Sequence, residues 1–184
     1  MKRFLDIGAW TGASVEFFLK NHPQAKEFEV ISFECDRRNI EAIKKKHLPI
    51  TLVEKAAWTY DGKVRFYPGL GPTKAGGTMY ATKITGGVTD KVFYDVDCVD
   101  IARYLDADYT IMKINAEGAE YDIIRYLYER GLLHKINKFY VQWHWDKIGL
   151  SKARHDEISG MIDWSPWNAQ FNQNKFKNEF LKTL

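Results

Sequence analysis

Short apolar runs alternate along this chain with stretches whose apolar positions recur at helical spacing. That alternation predicts an α/β fold with a mainly parallel sheet. Phe4-Leu5-Asp6-Ile7 predicts a strand ending at Gly8, and a helix is expected from about Ser14, with Val15, Phe18 and Leu19 on one face and Pro23 beyond its end. Phe28 to Phe33 predicts a second strand, ending at Glu34. The next helix is expected over Arg37 to Lys46, with Ile40 and Ile43 inward and Lys44-Lys45-Lys46 toward solvent. Ile50 to Val53 predicts a third strand, running toward Ala56-Ala57-Trp58, and Tyr60 to Lys63 reads as a turn into a strand over Val64 to Tyr67.

From Pro68 to Gly87 large aliphatic residues are few and Gly, Thr and Lys dominate, which predicts a long, mobile lid-like loop. A strand and a short helix are expected between Val92 and Leu105, then a strand from Tyr109 to Ile114. Ala119 to Arg130 predicts a helix closed by Gly131, and Phe139 to Trp143 predicts a strand ending at His144-Trp145. The tail after Asp146 is polar and helix-like in places.

Composition narrows this picture. A chain of 184 residues can bury roughly 70 % of its unfolded surface without disulfides or metal, and one domain over residues 1–184 is expected. Lys and Arg number 27 against 24 Asp and Glu, a net charge of +3, too weak a bias to imply nucleic acid or an anionic membrane as partner. Cys35 and Cys98 form neither a CxxC nor a zinc spacing, so a reduced, cytoplasmic protein without a bound metal is expected. The apolar stretch at Phe4 is short and broken by Asp6, unlike a signal peptide, and no run reaches the ~20 apolar residues of a membrane span.

The first strand leads into Asp6-Ile7-Gly8-Ala9-Trp10-Thr11-Gly12-Ala13-Ser14, a D-x-G-x-x-x-G turn. Glycines there let a ligand approach the backbone at the carboxyl end of a strand. A dinucleotide turn needs a second glycine where this chain has Trp10, and no phosphate-loop GK[ST] occurs. Asp6 suits a cationic amine, and Glu34, ending the second strand, suits the two hydroxyls of a ribose. An ammonium at one end and a ribose at the other describe S-adenosylmethionine.

Met112-Lys113-Ile114-Asn115-Ala116-Glu117-Gly118-Ala119-Glu120-Tyr121 resembles the K-I-D-x-E-G-A-E segment of the FkbM-type S-adenosylmethionine-dependent O-methyltransferases. Phe4 to Ala9, Ser32 to Glu34, Ala56-Ala57 with Gly62, and Val96 to Asp100 support the resemblance, which runs from Phe4 to about Asp146. It implies a Rossmann-like seven-stranded methyltransferase fold with helices on both faces, and methyl transfer to a hydroxyl, most often of a carbohydrate. The family's Asp in that segment is Asn115 here, which neither accepts a proton nor carries charge. A non-sugar hydroxyl, or a silent cofactor-binding protein, remain the alternatives. The chain as written starts directly at its first strand, so residues 68–87 and the C-terminal tail are expected to cover the site.

The residues expected to hold the cofactor are Asp6, Gly8, Ala9, Trp10, Thr11, Gly12, Ser14, Glu34, Cys35 and Ala57. Lys113, Gly77, Thr78 and Trp145 are expected on the side of the acceptor, a small molecule or glycan, and a homodimer is an open option. His144 is the first choice of general base, since imidazoles accept protons near neutral pH. Asn115 and Glu117 stand beside it as catalytic candidates, with Glu120 fixing the turn. His22, His47, His134 and His155 read as solvent-facing. Trp143, Trp145, Trp164 and Trp167 read as partly core and also suit stacking against a sugar, and Lys74 and Lys83 read as solvated charges.

Overall fold

Phe4 and Leu5 point to opposite sides of one strand, and both are completely buried. A strand with core on both sides belongs to a sheet covered on both faces. The computed structural model describes residues 1–73 and 75–163; Lys74, Trp164 and Trp167 lie outside them.

The strand is β1 (Lys2–Ile7). It pairs in parallel with β2 (Phe28–Phe33) on one side, Lys2 opposite Phe28. On its other side lies the parallel strand Tyr109–Ile114, Lys2 opposite Tyr109. In chain order the remaining strands are β3 (Thr51–Val53), β4 (Ala56–Trp58), β5 (Gly62–Phe66) and β6 (Tyr94–Asp100), which makes Tyr109–Ile114 β7 and Lys138–Val141 β8. A five-stranded sheet runs β3-β2-β1-β7-β8, all parallel.

Helices cover both faces. On one, α1 (Ala13–Asn21) presents Val15 and Phe18 to Phe4, Val30 and Ile111, and the Phe4 and Phe18 rings stack at 4.2 Å. Helix α2 (Arg37–Lys44) buries Ile40 and Ile43 and is capped by the Asp36 carboxylate, which accepts from the Arg38 amide at 3.0 Å. On the other face, α3 (Glu120–Glu129) and α4 (Lys152–Ser159) pack Ile123, Ile124, Leu127 and Ile158 onto Leu5, Ile7, Met112 and Ile114.

The seven-stranded count implied by the resemblance is not reached in one sheet. The described strands divide into the five above and a second sheet ordered β4-β6-β5. The break falls between β3 and β4: the Val53 carbonyl still accepts from the Glu34 amide at 3.2 Å, but after the exposed Glu54 and Lys55 the chain turns to pair with β6. Antiparallel β5 completes that small sheet around Ala56, Phe66, Val96 and Cys98.

Candidate functional site

In a doubly wound sheet, ligands bind beyond the carboxyl ends of the strands where the strand order reverses. Here that point is the end of β1, with β2 on one side and β7 on the other. A cleft opens there, with about 190 Å³ of room for water, lined by Gly8, Trp10, Glu34, Cys35, Ala57, Gly77, Thr78, Asn115 and Glu117 among others.

The turn after β1 is built by alternating left-handed residues: Gly8 has φ 75°, Trp10 φ 50° and Gly12 φ 80°. It is bound to the end of β2. The Gly8 and Ala9 amides both donate to the Phe33 carbonyl at 3.1 Å, and the Trp10 amide donates to Glu34 Oε2 at 2.8 Å. Glu34 Oε1 accepts from the amides of Cys35, 3.0 Å, and Asp36, 2.9 Å. Burial pushes the Glu34 carboxyl up to about 7, against the pull of these backbone donors. Cys35 follows it into the cleft lining, its thiol raised by burial and by the neighbouring Glu34 and Asp36 charges.

At the end of β7, Asn115 Oδ1 is buried without a hydrogen-bond partner. Glu117 follows in the left-handed region, φ 51°, where a side chain is uncommon. Two of the three described non-glycine residues in that region, Trp10 and Glu117, thus line the cleft. Its carboxylate pairs with Lys83, Oε2 to Nζ 2.7 Å, and its Oε1 lies 3.6 Å from His144 Nε2. The other ring nitrogen, Nδ1, contacts Glu120 Oε1 at 2.9 Å. Glu120 also accepts from the Gly118 amide at 2.9 Å, fixing the turn. Four ionisable groups are therefore linked in a row, Glu120, His144, Glu117 and Lys83, of which Glu117 is the most exposed. Burial works to raise the Glu117 carboxyl, but the charges of His144 and Lys83 and the hydrogen bond from Lys83 hold it below the ordinary range.

No protein-family profile matches the sequence, and no curated protein matches it. Among solved structures the chain is similar to methyltransferase FkbM from Methylobacillus flagellatus KT, with 18 % identity and a TM-score of 0.46 over 73 % of this chain. The match covers 31 % of that chain, so the present sequence corresponds to about a third of its length. At that level of likeness the cleft's own geometry carries the functional reading.

That geometry places several expected site residues elsewhere. Asp6 is fully buried below the turn, and the cation it meets is the protein's own: Lys113 Nζ is 2.8 Å away. The two occupy facing register positions on β1 and β7, on the α1 side. Asp6 also accepts the Ser14 hydroxyl at 2.8 Å, tying the start of α1 to the strand, and Lys113 donates to the Gly8 carbonyl at 2.8 Å. Asp6, Ser14 and Lys113 therefore support the turn from beneath. Ala9 is buried, and Gly12 packs on Leu48 and Ile43; neither they nor Thr11 line the cleft. Gly8 lines it, yet its close neighbour is protein: a Cβ there would stand 2.1 Å from the Asn115 carbonyl oxygen.

His144 is fully buried behind Glu117 and does not line the cleft. Trp145 stacks on His155 at 5.8 Å and packs against the core. His155 is not solvent-facing: its Nδ1 meets the Tyr121 hydroxyl at 3.0 Å between Trp143 and Trp145.

Two features lay outside the sequence reading. Lys83, expected from sequence as a solvated charge, is 4 % exposed. The segment 75–84 is anchored and does not hang free. Thr78 donates to the Glu117 carbonyl at 2.6 Å, Thr82 to the Ile148 carbonyl at 2.7 Å, the Ile84 amide to Lys147 at 2.9 Å, and the Tyr80 hydroxyl to Asp122. The one sequence signal for this was Gly76-Gly77: Lys83 Nζ and the Phe66 ring crowd the places where their side chains would stand. Among the described residues, no group of three or more His, Cys, Asp or Glu side chains is set to hold a metal ion, and no helix is long and apolar enough to cross a membrane.

Proposed function

We propose that this chain is an S-adenosylmethionine-dependent methyltransferase acting on a hydroxyl, with a carbohydrate as the acceptor class. The observation that carries the reading is Glu34. Its carboxylate stands in the cleft at the end of β2 and takes the Trp10 amide, while the Phe33 carbonyl takes those of Gly8 and Ala9. A phosphate needs such backbone donors free and finds a carboxylate in their place. Lys55 is the one cation among the described lining residues. The donor set therefore fits a nucleoside with hydroxyl and ammonium groups better than a nucleotide. The orphaned Asn115 Oδ1 is a second acceptor awaiting a donor.

Glu34 would hold the ribose hydroxyls, with Cys35 and Ala57 beside the base, and Asn115 would face the amino-acid end. Bound there, the cofactor supplies an electrophilic methyl group on a sulfur that leaves as a neutral thioether. The chain aligns the acceptor oxygen and receives its proton. Among the described residues two carboxylates line the cleft; Glu34 already accepts three turn amides and Glu117 is the less buried, so Glu117 Oε1 would receive the proton. His144, 3.6 Å behind it, is held by Glu120 with Nε2 toward Glu117. This moves the direct base from His144 to Glu117 and keeps the imidazole as its backing. Trp10, 44 % exposed at the cleft, offers a flat face to a sugar ring. The carbohydrate class itself rests on the resemblance of residues 112–121.

Calorimetry is expected to show micromolar binding of S-adenosylmethionine, about −8 kcal/mol, with NAD and ATP silent. Glu34→Gln should weaken it by about 1.5–3 kcal/mol, the range for hydrogen bonds to a charged group. Preferential binding of NAD or ATP would overturn the site reading. Labelled-methyl transfer to glycans and small alcohols tests the reaction; binding with no transfer to any acceptor would favour a silent cofactor-binding protein.

A further inference from the structure

We propose that Lys83 is the positioning residue of Glu117, holding its carboxylate toward the cleft and against His144 and tying the cleft wall at Gly76 to it; this rests on Glu117 being the proton acceptor. Lys83 Nζ donates to the Gly76 carbonyl and pairs with Glu117 Oε2 at 2.7 Å, and its side chain is 1 % exposed. Burying an ammonium is expensive and is tolerated only with partners of this kind.

Holding the segment down does not require it. Thr78, Tyr80, Thr82 and Ile84 already anchor residues 78–84 to Glu117, Asp122, Ile148 and Lys147. An apolar side chain at position 83 would fill the same space without desolvating a charge. What the ammonium adds is a fixed positive charge on one carboxylate. Glu117 is gripped twice from this segment: Thr78 takes its backbone carbonyl at 2.6 Å and Lys83 its side chain. Its left-handed backbone, φ 51°, is the kind of conformation that persists when surrounding contacts over-determine it.

The far side of the carboxylate is set by His144, whose Nδ1 is fixed by Glu120. A singly protonated ring that gives its hydrogen to Glu120 turns a lone pair toward Glu117; a doubly protonated ring turns an N–H toward it across 3.6 Å. Lys83 thus keeps one oxygen of Glu117 engaged while the other faces the imidazole. Lys147 adds a weaker positive charge from the segment after β8.

The test is the titration of the Glu117 carboxyl carbon by ¹³C NMR, assigned by its loss in Glu117→Gln. In the wild-type protein it is expected to titrate below the ordinary glutamate range, and in Lys83→Met to move upward by a unit or more. Each unit lowers the ionised fraction on the acid side about tenfold. The acid limb of methyl transfer should move with it, while the Kd for S-adenosylmethionine stays within about twofold. An unchanged midpoint in Lys83→Met overturns the proposal. So does a wild-type midpoint at or above the ordinary range, which needs no variant to fold. A protein that binds no S-adenosylmethionine overturns the functional reading instead, and the carboxyl titration still decides whether Lys83 positions Glu117.

Discussion

Glu34 performs two tasks with one carboxylate: it closes two turns and offers acceptors to the cleft. Burial raises it to about 7, so the folded protein binds a proton there that the unfolded chain releases. Its contribution to stability is complete below the unfolded value of ~4.5 and is lost as pH rises through about 7. Ribose hydroxyls donate more strongly to the ionised form than to the protonated one. Cofactor binding should therefore tighten as pH rises through about 7 and release a proton below it, which calorimetry in buffers of different ionisation enthalpy would detect. Gly8 makes the opposite point about reading residues. Its glycine is legible in the sequence as a close approach, but the partner is the Asn115 backbone, which no local pattern reveals. Gly8→Ala would force a Cβ to 2.1 Å from that oxygen at φ 75°. A loss of about 2–4 kcal/mol follows from overpacking and a left-handed side chain. Thermal melting should show it without any ligand present, and an unchanged Tm would contradict the packing.

At the level of elements, the strands were legible because apolar runs and turn residues agree. Phe28–Phe33 and Tyr109–Ile114 have the bounds expected from sequence. The last strand ends early, at Val141, yet the Gln142 amide still donates to the Ile114 carbonyl at 2.8 Å. The segment after Pro68 defeated that logic. Its anchors are single polar side chains meeting residues some forty to sixty-six positions away, and such partners leave no periodic signature. Residues 75–84 should resist limited proteolysis in the free protein. Thr78→Val leaves the Glu117 carbonyl and the Tyr80 amide without the hydroxyl they share, a loss of about 1–3 kcal/mol. Cleavage there should accelerate in that variant, and equal rates would mean that the anchor is not what holds the segment.

Across the whole molecule, chemistry-bearing residues were found more readily than the side of the sheet they face. Asp6 and Lys113 were both expected at the ligand, and both lie one layer beneath it as a buried pair. Alternation along β1 and β7 aligns them on one face, but the register that makes them neighbours is tertiary. The pair joins the central strands under the cleft, so breaking it should be felt globally. Lys113→Met strands the Asp6 carboxylate in the core, with a loss of about 3–5 kcal/mol. The double variant Asp6→Leu with Lys113→Met should recover much of that. Urea unfolding of the three proteins measures it, and additive losses would show that the two residues do not act together.

The position of β1 also sets a schedule for synthesis. Its first neighbour, β2, emerges soon after it, but the second is β7, with Lys2 opposite Tyr109. At roughly 5–20 residues per second, the middle strand of the sheet waits on the order of five to twenty seconds with one edge unpaired. During that interval an apolar strand edge of Phe4, Leu5 and Ile7 is open to strands of other nascent chains. Slowing translation before residue 109 should lengthen this exposure and raise the fraction that aggregates, whereas slowing it after Val141, when β8 has been made, should not.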